Sequence, residues 1–223
     1  MITKRRVSVV VLLAILVSIA VLSVAQASNP PSLGQPTYIV EQRPNGYLRV
    51  RVQVNLADHA ARDRYAAQQR VEALRLARTG TGSVPVQITF IRPLSIEELH
   101  LLAQRTRMVA ELVLFEARDA DQGLHTVAAR GNGANVVDLD SLGSGLNARS
   151  LRLIEATAMR GTVPASASGL GQLATDARVY LPDVTTHQLA IEVAARYGVS
   201  VDKVQVSLPT PHWYLRTERK EEP

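Results

Sequence analysis

The sequence predicts an α+β protein: an N-terminal export helix, then a mixed or antiparallel sheet with helices on one face. Two observations lead there. Lys4, Arg5 and Arg6 precede an apolar run from Val7 to Ala25, and two later stretches each read as strand, capped helix, strand. The same reading divides the chain into an export signal or single transmembrane anchor at 1–27, a proline-rich spacer at 28–36, one extracytoplasmic domain at 37–210 and a charged tail at 211–223.

The apolar run is 19 residues long and is interrupted only by Ser8, Ser18 and Ser23. A cleaved signal normally carries about 7 to 15 apolar residues and a spanning helix about 17 to 25, so length favours an anchor. The small residues of Ala25-Gln26-Ala27, followed by Asn29-Pro30-Pro31, favour cleavage after Ala27. Either way the basic cluster stays on the cytoplasmic side and residues from about Ser28 onward face the outside. The implied location is secreted or single-pass in the cell membrane.

Composition has to be read without that segment. The chain carries 25 Lys+Arg and 20 Asp+Glu; setting aside Lys4, Arg5 and Arg6 leaves 22 against 20, too even to suggest a nucleic-acid partner. Cysteine is absent, which removes disulfides, thiolate nucleophiles and cysteine metal ligands. Packing has to supply the stability.

In chain order, Tyr38–Val40 and Tyr47–Val54 predict a hairpin around Arg43-Pro44-Asn45-Gly46. Leu48, Val50, Val52 and Val54 alternate with Arg49, Arg51 and Gln53, which sets one face on a core. An Ala-rich helix from Ala57 to Arg78 follows, with Asn55 as its cap and Gly80 as its end. Val84 to Ile91 is a strand stopped by Arg92-Pro93. Ser95 and Glu98 then form a capping box with Leu94 and Leu99 as a hydrophobic staple, and Val109 to Phe115 closes the first strand-helix-strand unit. Asp119 to Gly123 turns the chain into a further strand, Leu124 to Ala129.

The second unit has its strand at Arg178–Leu181, a stop at Pro182, a capping box from Thr185 and Gln188, a helix ended by Gly198 and a closing strand at Val204–Leu208. Two such units suggest ferredoxin-like strand-helix-strand architecture, through duplication or through shared capping physics alone. Between them lie the glycine-rich Gly131–Gly145, a short helix expected over Ala148–Arg160 and a mobile Ala/Ser/Gly-rich stretch, Gly161–Thr175. The segment Val86–Leu99 resembles the strand-proline-capped-helix opening of extracytoplasmic domains in bacterial anti-sigma-type regulators. That resemblance spans 14 residues and transfers no functional residue.

Most recognisable chemistries fail on inspection. Asp138-Leu-Asp140-Ser-Leu142-Gly143 starts like a calcium loop but has leucine at the third oxygen position and Arg149 at the twelfth. Gly131-Asn-Gly133 lacks the third glycine of a dinucleotide fingerprint, and no two of the five histidines stand at i, i+4. No cofactor or metal is implied. His100 and His187 fall in first helical turns, where packed imidazoles are common, and Trp213 is a large piece of buriable surface.

Two function classes follow. The first is a non-enzymatic extracytoplasmic domain that binds a protein or an anionic envelope surface. Its contact face is expected on the Ala57–Arg78 helix at Arg62, Tyr65, Gln69 and Leu76, opposite a core stripe of Ala60, Ala67, Val71 and Leu74. The alternative is a hydrolase or metal-assisted enzyme in which a glycine-rich loop brings Asp138 and Asp140 to His125. Convergence of those three side chains separates the classes.

Overall fold

The computed structural model describes residues 36–54, 58–131 and 136–208. The export segment, nearly all of the spacer, Asn55, and Trp213 with the charged tail lie outside the described residues. Among the described residues the fold is mixed α+β, with two sheets and five α-helices. None of these helices is long and apolar enough to cross a membrane.

β1 (Pro36–Gln42) and β2 (Leu48–Val54) form the expected antiparallel hairpin. Its turn is closed by Arg43 N donating to Tyr47 O at 2.8 Å, and Gly46 sits at φ +77, a conformation that disfavours any side chain. α1 (His59–Thr79) is capped by Asp58, whose carboxylate accepts from Ala61 N at 2.6 Å. Its far end closes through Gly80, which donates to Leu76 O.

β3 (Ser83–Leu94) runs past the expected stop at Arg92-Pro93, with a register shift between Thr89 and Leu94. The bulge accommodates a proline that an unbroken ladder would exclude. α2 (Ile96–Thr106) opens on the expected capping box: Glu98 N donates to Ser95 Oγ at 3.2 Å and Ser95 N to Glu98 Oε2 at 3.1 Å. Leu94 and Leu99 are both fully buried, as a staple requires. β4 (Val109–Arg118) and β5 (Leu124–Arg130) then form the second hairpin.

α3 (Leu139–Asn147) precedes β6 (Arg152–Pro164), so the helix expected over Ala148–Arg160 is instead mostly strand. β6 pairs with β3 on one edge and β4 on the other. The stretch expected to be mobile is packed: a π-helical turn (Ala167–Gly171) and α4 (Gln172–Thr175) bury Leu170, Leu173 and Ala174. β7 (Val179–Asp183), α5 (Thr185–Tyr197) and β8 (Val204–Ser207) complete the described chain.

The larger sheet has the order β5-β4-β6-β3-β7 and all its neighbours are antiparallel. The smaller sheet has the order β1-β2-β8, with β2 and β8 parallel. The second expected unit is therefore divided between sheets: β7 edges the larger and β8 the smaller, with α5 between them in sequence. Its capping box is also absent. The cap position falls on Val184, which makes no side-chain bond.

The main core gathers Val84, Val86, Ile88 and Phe90 from β3, Val113 and Phe115 from β4, and Leu99 and Leu102 from α2. Leu189 and Val193 of α5 cluster separately with Leu48, Val50 and Val52 of β2. At Gly161 the strands approach so closely that a Cβ would lie 2.2 Å from Val109 O and 3.0 Å from Ala110 Cα. We expect Gly161→Ala to destabilise the fold by about 1–3 kcal/mol through that backbone clash, and Ser95→Ala by about 0.5–2 kcal/mol through the lost cap. Urea midpoints of the two variants check both.

Candidate functional site

α1 buries the side that sequence patterning assigned to a partner. Arg62, Tyr65, Gln69 and Leu76 are all buried, whereas Val71, expected in the core, is 68% exposed together with Ala60 and Ala67. An Ala-rich helix has little amphipathic contrast to orient it, so polar bonding decides which side turns inward. The Tyr65 hydroxyl donates to Asp183 Oδ2 at 2.8 Å and lies 2.8 Å from Thr185 Oγ1. Thr185 N donates to Asp183 Oδ1 at 2.9 Å, and Val184 N donates to Gln69 Oε1 at 3.0 Å.

These bonds clasp α1 to the end of β7 and the first turn of α5. One turn further along α1, Arg70 donates to the carbonyls of Val179 at 2.7 Å and Tyr180 at 3.1 Å, and also to that of Ala174. The contact face expected on this helix is thus an internal joint. Asp183 is its buried acid, and desolvation pushes its carboxyl above the usual aspartate range despite the bonds from Thr185 and Tyr65. Sequence alone missed Asp183, because an aspartate after proline looks like any turn residue until its burial is seen.

His125, Asp138 and Asp140 do not come together. His125 Nε2 lies 2.7 Å from Asp119 Oδ2 in the adjoining turn. That bond, with Gly123 N donating to Asp119 Oδ1 at 2.7 Å, holds the Asp119 carboxyl below its usual range. Asp138 stands at the other end of β5, where its N donates to Arg130 O at 3.0 Å. His125 and Arg130 are five positions apart along the strand, roughly 17 Å at the usual rise. Asp140 is exposed in the first turn of α3. Among the described residues no group of three or more His, Cys, Asp or Glu side chains is placed to hold a metal ion.

The described surface has an aromatic cluster elsewhere. Tyr38 of β1 donates to Glu192 Oε1 at 2.6 Å, while the Arg196 guanidinium sits 5.9 Å from the centre of the Tyr38 ring and donates to Glu192 at 3.0 Å. Partial burial and the Glu192 carboxylate push the Tyr38 phenol up to about 12. Ile39, Ile191 and Tyr197 are exposed on these same two elements.

Compared with family models, with curated proteins and with solved structures, the chain matches none.

Removing the Tyr65 hydroxyl leaves a buried carboxyl short of one donor, so Tyr65→Phe is expected to cost about 1–3 kcal/mol. Chemical unfolding at neutral pH measures it. The raised Asp183 value also fixes a pH trend. The folded state holds this proton more tightly than the unfolded state, so the contribution is complete below the ordinary aspartate range and is lost as pH rises through the raised value. Against Asp183→Asn, the parent protein should lose relative stability across that window, as read by urea midpoints from about pH 3 to pH 8.

Proposed function

We propose that this chain is an exported or membrane-anchored extracytoplasmic domain that acts without catalysis, by contact with a protein or an anionic envelope surface. The observation that carries this reading is the order of Lys4-Arg5-Arg6, the apolar run Val7–Ala25 and Ala25-Gln26-Ala27. Charge before an apolar run fixes orientation, and small residues at its end suit a peptidase.

The contact part is supported by the Tyr38 cluster. Tyrosine and arginine dominate the energetics of many interfaces, and a tyrosine already held by Glu192 and Arg196 loses little freedom when a partner arrives. The larger sheet supports a ferredoxin-like reading of the scaffold. β3 and β4 flank β6, and the connection between them carries α2; β6 and β7 flank β3, and the connection between them carries the π turn and α4.

An alkaline phosphatase fusion joined after Pro31 should be active in cells. A fusion that is stably made but inactive would overturn export, and mass spectrometry of the product distinguishes cleavage after Ala27 from retention as an anchor.

A further inference from the structure

Arg118 ends β4 and Arg152 begins β6, and the two are direct partners in the antiparallel ladder. Partners in that register project to the same side of the sheet with Cβ atoms about 4.5–5.5 Å apart. Two guanidinium groups so placed repel each other unless negative charge lies between them. Among the described residues neither has an ion-pair partner. The acid next to Arg118, Asp119, is engaged by His125 and by the Gly123 amide.

A cleft of about 520 Å³ opens at this pair, lined also by Asp119, Gln122, Leu153 and Glu155. Gln122 Oε1 accepts from Arg118 Nη1 at 3.3 Å, which orients the glutamine and leaves its amide N–H groups to donate. Gln122 also has φ +64, left-handed backbone that glycine would occupy at lower cost. Strain of this kind persists only where the surrounding structure enforces it, and it clusters at binding sites. Glu155 also lines the cleft; across the ladder it pairs with Glu116, past a register shift that separates it from the Arg118–Arg152 pair, and its carboxylate confines an anion to the arginine end.

We propose that this cleft binds a phosphoryl group, with Arg118 and Arg152 gripping it from two strands and the Gln122 amide donating from the turn. A planar carboxylate is satisfied by one guanidinium fork, whereas two forks and an amide arriving from separate elements suit a tetrahedral dianion. The group belongs to a phosphorylated solute or to a phospholipid headgroup. The site is independent of the cellular address proposed above.

The test uses the full chain in neutral detergent, titrated with inorganic phosphate at constant ionic strength, with chloride as the control. Phosphate should raise the unfolding temperature and chloride should not. Arg118→Gln combined with Arg152→Gln should weaken phosphate binding by about tenfold or more. Without phosphate, the same double variant should unfold no earlier than the parent, because the repulsion is gone. Gln122→Gly should raise the unfolding temperature yet weaken phosphate binding, a split that a purely structural residue does not give. If the double variant fails to fold, Arg152→Lys keeps the charge and removes the fork, and should still weaken binding. Flotation on phosphatidylcholine vesicles with and without phosphatidylglycerol separates the sources: arginine-dependent capture by the anionic vesicles assigns a headgroup, and binding of inorganic phosphate alone assigns a solute. No response to phosphate or anionic vesicles, or a response that the arginine variants retain in full, overturns the proposal.

Discussion

β6 has hydrogen-bonded neighbours along both edges, β3 on one side and β4 on the other, and the larger sheet is assembled around that double pairing. Without it β3 and β4 would be separated by a gap one strand wide, and α2 would bridge two edges that share no ladder. The strand also carries the irregularities of the sheet. A register shift on the β4 side, at Leu114/Phe115, bends β6 so that Ala156 and Met159 both face the main core. Gly161 sets how closely β4 can approach, since any side chain there would meet Val109 O.

A second constraint holds α1 and α5 in place. Buried hydrogen bonds from Tyr65 and Gln69 reach Asp183, Thr185 and Val184 at the junction of β7 and α5, so α1 grips the connection that leads toward the smaller sheet. α5 then continues to pack Leu189 and Val193 with β2. A buried polar joint specifies geometry more narrowly than apolar contact, because each bond forms only within a narrow range of distance and angle. The same specificity makes the joint unsuitable as a partner surface. Its polar groups are already spent on one another.

The remaining described surface is then read by what is left unsatisfied or exposed. Tyr38, Glu192 and Arg196 form an ordered aromatic cluster that links β1 to α5. Arg118 and Arg152 form a charged pair at one end of the larger sheet, where β4 turns toward β5 and β6 begins. His125, once drawn to Asp119, organises that turn instead of forming a site with Asp138 and Asp140. Each of these groupings joins residues from separate elements.

Local signals survived translation into three dimensions. The Pro-Asn-Gly turn, the Ser95–Glu98 capping box and the turn at Asp119–Gly123 are short-range devices whose hydrogen bonds close within a few residues, and the sequence determined them by itself, along with the α+β class. The tertiary structure decided the rest. Arg152–Pro164 is rich in Leu, Glu, Ala, Met and Arg, residues that favour a helix in isolation; it became a strand because two flanking ladders outweigh intrinsic preference. Thr185 fits a cap by spacing, yet its hydroxyl lies beside Tyr65, a hundred and twenty residues away in the chain. α1 turned its tyrosine and glutamine inward because Asp183 and the Val184 amide were waiting there, bonds between distant residues that no local pattern encodes.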